Sequence, residues 1–476
     1  MPDVLIRNGK LVDGTGRAPQ ETTSLFVCGD KIQGVGQEAD IKARFREDIR
    51  VIDAAGHTVM PGLVDSHTHL TLGEPRSNDE LFFHRDQNYS AILAGWNAQK
   101  VLRAGVTSVL DADGMFGIGV ALREAVEAGI VEGPRMAVGG FALMTSVGGT
   151  AGKMIPESGS AGYAMVVRNR DEMVMETRRQ IKGGVDWIKI HVTGVVPGRR
   201  GEMSVWTEEE LRAVVDTAHD LGVPVIAHCR NARSSRDAAR AGVDVLAHTS
   251  FMDEEALEAV VASGATLLPT FTFLANLIDY GHRAGASSAA VELFQSEIEQ
   301  SAAMIRRAHD AGVKVLAGSE SGFSLTPYGH WHAREMEVFV KHLEMTPLEA
   351  ITAATGNGAI AVRRPEVGTL EKGKLADVLV VDGDPTEDVR LLQDRSRIHH
   401  VFKGGVEVDL TRPWPHRTIY PKERVSQYSQ DLLLWEMAHE LAGEAAPAPP
   451  PSGAAVSPVR DEVALAGATT SCPCSM

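Results

Sequence analysis

Residues 62–70 read GLVDSHTHL, an apolar run that closes on His67 and His69, one residue apart. In an extended strand, residues i and i+2 project to the same face, so two imidazoles placed this way can both reach one divalent ion. Alone, the pair is as readily the polar end of an ordinary strand. Its weight depends on what the rest of the chain sets beside it.

The same texture returns seven times: TSVLDADG (107–114), RMAVGGF (135–141), WIKIHVTG (187–194), VPVIAHC (223–229), VDVLAHTS (243–250), ATLLPTF (265–271) and VKVLAGSE (313–320). Helical patterns lie between them. TEEELRAVVDTAHDLG (207–222) opens with a Thr N-cap and acidic first turn and ends on Gly. Strand and helix alternating in this way predict an α/β fold, a (β/α)8 TIM barrel over residues 59–358, whose chemistry sits at the C-terminal ends of its strands. Strands five and six end at His228 and His248, and strand eight delivers Glu320. Four histidines converging on one barrel mouth predict a metal site.

The chain ends have another character. DVLIRNGKLVDGTG (3–16), SLFVCGDKIQGVG (24–36), KLADVLVVDGDP (374–385) and HHVFKGGVEV (399–408) read as short strands and hairpins. They predict a small composite β-sandwich domain built from residues 1–58 and 359–425. Residues 426–476 are expected to form a C-terminal helix and a disordered tail, since GEAAPAPPPSGAAVSPVR (443–460) is rich in Ala, Pro and Ser.

The composition of the 476 residues, 43% hydrophobic and 23% charged, is that of a globular protein with a substantial core. A net charge of −16 argues against nucleic acid as a partner, because phosphate binding needs a basic surface. The N-terminus lacks the pattern of a secretory signal and no apolar run is long enough to span a membrane, so a cytoplasmic location and no membrane partner are expected. A homo-oligomer is expected. Cys28, Cys229, Cys472 and Cys474 are too few for a disulfide framework, and Cys472-Pro473-Cys474 reads as an untethered tail.

Lys189 sits among bulky apolar residues in WIKIH (187–191) on strand four. Such an amine either pairs with a carboxylate or, its pKa lowered by burial, reacts with CO2 to give a carbamate able to bridge two metals. The residues alone leave both readings open.

His-x-His on strand one, a lysine on strand four, histidines ending strands five and six and an acid ending strand eight resemble the metal-dependent amidohydrolase superfamily, in its dipeptidase and imidazolonepropionase-like branch. DVLIRNGKLVDGTG, the barrel entry MPGLVDSHTHL (60–70) and the return LEKGKLADVLVVDGDP (370–385) are similar to that family as well. The resemblance implies that His67 and His69 bind one metal, His228 and His248 another, and carbamylated Lys189 bridges them. It further implies hydrolysis by metal-activated water, with Glu320 as the catalytic proton shuttle. One or two divalent ions per chain are expected. Zinc leads, though imidazole and carboxylate donors suit Fe, Co and Mn too.

Three positions depart from the dipeptidase pattern. Ser319-Glu320-Ser321-Gly322 stands where a Thr-Asp-Ala/Ser-Gly pattern is usual, Val147-Gly148-Gly149-Thr150-Ala151 lacks the usual histidine, and Cys229-Arg230 replaces Ala-Tyr. These changes point away from peptides. Around HCRNARSS (228–235) and GSESGF (318–323) the chain is similar to the herbicide-degrading phenylurea and molinate hydrolases. The small-molecule substrate implied is an amide, urea or carbamate cut at its C–N bond, the leading choice being an N-aryl urea that yields an aromatic amine. An Xaa-Pro-type dipeptidase is the alternative, and a catalytically inactive barrel used for binding or assembly is another.

His191, Arg230, Thr150, Tyr328 and His330 are the expected substrate contacts. Phe271, Phe273, Leu274, Phe323 and Trp331 are candidates for an apolar aryl pocket, or for packing. Asp111 and Asp113 either orient a metal-binding histidine or serve a turn. His332, in the same loop as His330, is a further candidate, and His84, His219, His309 and His342 read as structural.

Overall fold

The computed structural model describes residues 3–37, 49–75, 81–82, 85–149, 162–196, 201–417 and 432–442. Two parallel sheets carry the barrel staves. One contains β6 (Leu63–Thr68), β7 (Val106–Asp111) and β8 (Arg135–Val138); the other runs through β11 (Ile188–His191), β14 (Val225–Cys229), β15 (Val245–His248) and β16 (Thr266–Leu268). Bridges from Gly139 to Trp187, Leu267 to Val315 and Ser321 to Thr68 join the sheets into a ring. Seven regular strands and the extended segment around 313–321 therefore make the eight positions of a (β/α)8 barrel. Nearly every residue of the seven strands is buried, as expected where helices cover a parallel sheet and side chains fill its interior.

Two staves differ from their expected form. The third breaks at Gly139-Gly140, where the backbone runs so close to stave two that a Cβ on Gly139 would lie 1.8 Å from the carbonyl oxygen of Ala112; the chain resumes as β9 (Ala142–Met144), paired through Leu143 to Ile190. The eighth, VKVLAGSE, is held by separate bonds to both neighbours: the Leu316 amide donates to Leu267, and the Ser66 amide donates to Ala317. It ends at Glu320 with φ 55°, in the left-handed region, which stops regular pairing where the acid is delivered.

The helices form where the sequence places them. Thr207 and Glu210 make a reciprocal capping box at the start of the helix Glu208–Asp220, and Gly222 closes it at φ 72°. A hairpin of β12 (Thr193–Val195) and β13 (Glu202–Ser204) projects beyond stave four.

The chain ends share one eight-stranded sheet. β17 (Val378–Asp382) pairs antiparallel with β5 (His57–Pro61), which adjoins β1 (Val4–Leu11). β17 alternates strictly: Val378 and Val380 pack within the sheet's own core, whereas Leu379 and Val381 belong to the barrel's. A helix, Trp435–Ala442, follows near the C-terminus. Residues 443–476, where the tail is expected, lie outside the described residues, as does His84. Among the described residues no helix is long and apolar enough to cross a membrane.

Candidate metal centre and substrate cavity

Alternation along two strands and three backbone turns builds the site. His67 on β6 and His69 just past its end face the same way, as do Lys189 and His191 on β11. His248, Thr270 and Glu320 terminate staves six, seven and eight at φ 69°, 54° and 55°. A left-handed backbone costs a non-glycine residue roughly 1–2 kcal/mol, so its recurrence at three neighbouring strand ends marks a place where side-chain direction outweighs backbone comfort.

Glu320 lies among the histidines, its Oε2 3.5 Å from His67 Nε2 and its Oε1 3.4 Å from His69 Nε2. Burial alone pushes its carboxyl upward, but the neighbouring imidazoles overcome this and hold it well below the usual carboxylate range. Lys189 is fully buried, its Nζ 3.4 Å from His67 Nε2 and 3.8 Å from Asp113 Oδ1. Asp113 is a hub. Its Oδ1 lies 3.0 Å from His69 Nδ1, and its Oδ2 accepts from His191 Nε2 at 3.1 Å. Burial raises its pKa, yet Lys189 and His69 hold it well below the ordinary value. Burial lowers His191 to about 4, leaving it neutral near pH 7. Of the two roles considered for Asp113, orienting a histidine matches these contacts. Asp111 instead accepts from the Leu70 amide, which is a turn role.

The hairpin supplies a residue that sequence reasoning missed. Glu202 Oε2 lies 2.7 Å from His228 Nε2 and accepts from Thr193 Oγ1 at 2.6 Å. Nothing in GEMSVW (201–206) distinguishes this acid from a solvated loop residue; only the pairing of Val195 with Glu202 brings it over the barrel mouth.

The donors fit a divalent ion. His248 Nε2 and Glu320 Oε2 are buried with no hydrogen-bond partner, an arrangement that is costly unless a cation or solvent satisfies them. Donor atoms of His67, His248 and Glu320 fall within 4.8 Å of one another, and so do those of His67, His69 and Asp113. His248 Nδ1 is engaged by Thr270 Oγ1, which turns Nε2 inward. His228 stands outside both groups. Its ring centroid lies 4.4 Å from that of His248, but its Nε2 is taken by Glu202, leaving Nδ1 as its available donor. Among the described residues His248 lies with His67 and Glu320, whereas the family resemblance implies a pairing of His248 with His228.

These residues floor a cavity of about 220 Å³ walled by Leu72, Leu81, Phe82, Phe273, Phe294 and Phe323. Of the expected substrate contacts, His191 and Arg230 line it. Tyr328 does not: it is fully buried and its hydroxyl donates to the His69 carbonyl, bracing the end of stave one. His330 does not either, since its Nδ1 faces Glu436 and the Trp435 amide near the C-terminal helix. Thr150 lies outside the described residues. Phe273, Leu274 and Phe323 line the cavity, whereas Phe271 and Trp331 pack in the core. His332 is tied to Asp65 at 2.7 Å.

Comparison with known proteins agrees with this fold. The chain is 28% identical over 424 residues to ochratoxinase from Aspergillus niger, covering 84% of this chain and 85% of that one. The crystal structure of an Xaa-Pro dipeptidase with methionine bound in its active site superposes with a TM-score of 0.74 at 29% identity, over 85% of this chain and 99% of that one. Molinate hydrolase gives a TM-score of 0.74 at 25% identity, over 90% and 98%. Phenylurea hydrolase B, at 24% identity and a TM-score of 0.70 over 87% and 100%, shares the fold. The sequence model of the amidohydrolase family matches residues 58–408, from the strand before the barrel to the end of the closing sheet, and the chain therefore belongs to the amidohydrolase family.

Proposed function

We propose that this amidohydrolase, a metal-dependent hydrolase of C–N bonds, acts on a neutral amide, urea or carbamate bearing an aryl group, with an N-aryl urea as the leading substrate. The state of Arg230 carries the choice. A dipeptide brings a carboxylate that needs a cation, and the cations among the described cavity residues are spoken for: Lys189 lies against His67 and Asp113, and Arg230 is paired with Glu297 at 2.5 Å. The walls are aromatic and aliphatic, which suits a ring.

His67, His69, His248 and Glu320, joined by His228 through Nδ1 and with Asp113 or Lys189 close by, would hold the ion, and zinc is the ion proposed. When bound, it supplies a Lewis acid for the carbonyl and a water acidic enough to attack near neutral pH. The protein's own groups do the rest. Phe273 and Phe323 hold the aryl ring, His191 presents a neutral imidazole at the cavity wall, and Glu320 carries a proton to the departing nitrogen. The surrounding imidazoles keep the resting Glu320 carboxylate ionised, so it starts without a proton and can take one up before passing it on.

Purified, metal-loaded protein offered an N-aryl urea, an N-aryl carbamate and a panel of Xaa-Pro dipeptides tests the proposal. Release of aromatic amine is expected. Turnover of dipeptides alone would overturn it, and metal-free protein that cannot be reconstituted would point to an inactive scaffold.

A further inference from the structure

Arg230 reaches the cavity with its charge already engaged on every side. Glu297, on the helix Ser288–Asp310, is 3% exposed, and its carboxylate grips the guanidinium with both oxygens: Oε1 accepts from Nε at 3.1 Å and Oε2 from Nη2 at 2.5 Å. Ser250 Oγ donates to the same Oε1 at 2.5 Å, fixing the carboxylate from behind. The third guanidinium nitrogen, Nη1, lies 3.6 Å from Glu202 Oε1. Phe294, one turn before Glu297, sets its ring 5.6 Å from the guanidinium carbon. One cation therefore serves two carboxylates, and a third carboxylate arriving with a substrate would meet a surplus of negative charge.

We infer that Glu297 is a specificity-determining residue: by clamping Arg230 it excludes molecules with a carboxylate beside the scissile bond and leaves the cavity to neutral ones. This rests on the cavity being the substrate site, as proposed above. Selectivity here comes from repulsion as much as from attraction, since an otherwise suitable guanidinium is withheld. Both groups are far less screened than at the surface, so the pairing persists in salt. Releasing Arg230 would give a forked donor suited to a carboxylate.

The test compares N-benzoylglycine with its neutral analogue N-benzoylglycinamide as ligands of the metal-loaded protein, read as a ratio of dissociation constants by calorimetry. Wild type is expected to prefer the amide. Glu297→Gln, close in shape, is expected to move the ratio toward the carboxylate by about tenfold or more, in keeping with the coupling of close interfacial charges. Arg230→Gln added to that variant is expected to return the ratio to the wild-type side, an effect that mere loosening of the helix would not produce. An unchanged ratio in Glu297→Gln overturns the inference, and so does failure of both ligands to bind wild type. Should Glu297→Gln not fold, Glu297→Asp keeps the buried charge on a shorter side chain and is expected to shift the same ratio in the same direction; no shift there overturns the inference equally. Failure of the proposed function is read separately, from wild-type turnover of dipeptides and of no neutral substrate.

Discussion

Oε2 of Glu202 lies 2.7 Å from Nε2 of His228, so a carboxylate on the projecting hairpin fixes which imidazole nitrogen the strand-five histidine presents to the site. With Nε2–H donating to Glu202, the lone pair is on Nδ1, the tautomer a metal requires of a ligand bound there. Glu202→Gln weakens that bond and lets the ring turn. Removing such supporting carboxylates typically costs 10–100-fold in metal affinity, and a loss of about tenfold is expected here. Competition for the metal with a chelator of known affinity measures it, and unchanged retention would show that His228 takes no part in holding the ion.

Asp113 makes the second prediction. It contacts Lys189, His69 and His191 with a side chain that is completely buried. Asp113→Ala would leave the Lys189 amine without its carboxylate in the barrel interior, and breaking a buried pair on one side costs about 3–5 kcal/mol. Metal-free protein is expected to lose that much stability in a urea titration at pH 7. Asp113→Asn, which still offers an acceptor, is expected to lose less.

The barrel, the His-x-His strand and the histidines of staves five and six were legible because each rests on local rules: apolar runs of strand length, and a two-residue period that fixes which side chains share a face. Glu202 and Asp113 were harder. Their roles depend on a hairpin and a turn folding back across the mouth, contacts between residues 26 and 44 or more positions apart that no periodicity records. Tyr328 and His330 show the converse. They lie in a polar loop after stave eight, where substrate contacts are common, but packing turned one toward the His69 carbonyl and the other toward the C-terminal helix. Gly139 likewise gave no sign in RMAVGGF that the carbonyl of Ala112 would pass so near.

His330 carries a pH prediction. Burial, helped by the Arg395 guanidinium, lowers it from 6.5 to about 4. Folding, which buries the ring in spite of the nearby Glu436 carboxylate, therefore resists a proton that the unfolded chain accepts. Above pH 6.5 the contribution is complete; as pH falls toward 4 it is lost progressively, amounting to about 3 kcal/mol in all. Amide exchange in residues 433–442 is expected to quicken between pH 7 and pH 4.5, more than intrinsic chemistry allows. In His330→Gln that extra acceleration is expected to vanish.

The role proposed for Glu320 makes the last prediction. Its carboxylate spans His67 and His69 at 3.5 and 3.4 Å from a backbone already turned to φ 55° to present it. Glu320→Asp would keep the charge but withdraw the oxygens by about one C–C bond, roughly 1.5 Å, too far to meet both imidazoles. Glu320→Gln would keep the reach and remove the proton-accepting charge. If Glu320 both helps hold the ion and carries the proton, Asp is expected to lower metal content, while Gln at full metal occupancy is expected to lower kcat by about 10²–10⁴-fold, the usual worth of a positioned acid–base group. Metal per chain and kcat, measured together on the two variants, separate these roles. A Gln variant with normal metal and normal kcat would assign the proton transfer to another group, and Asp113, tied to His69 and Lys189 in the same cavity, is the next to test.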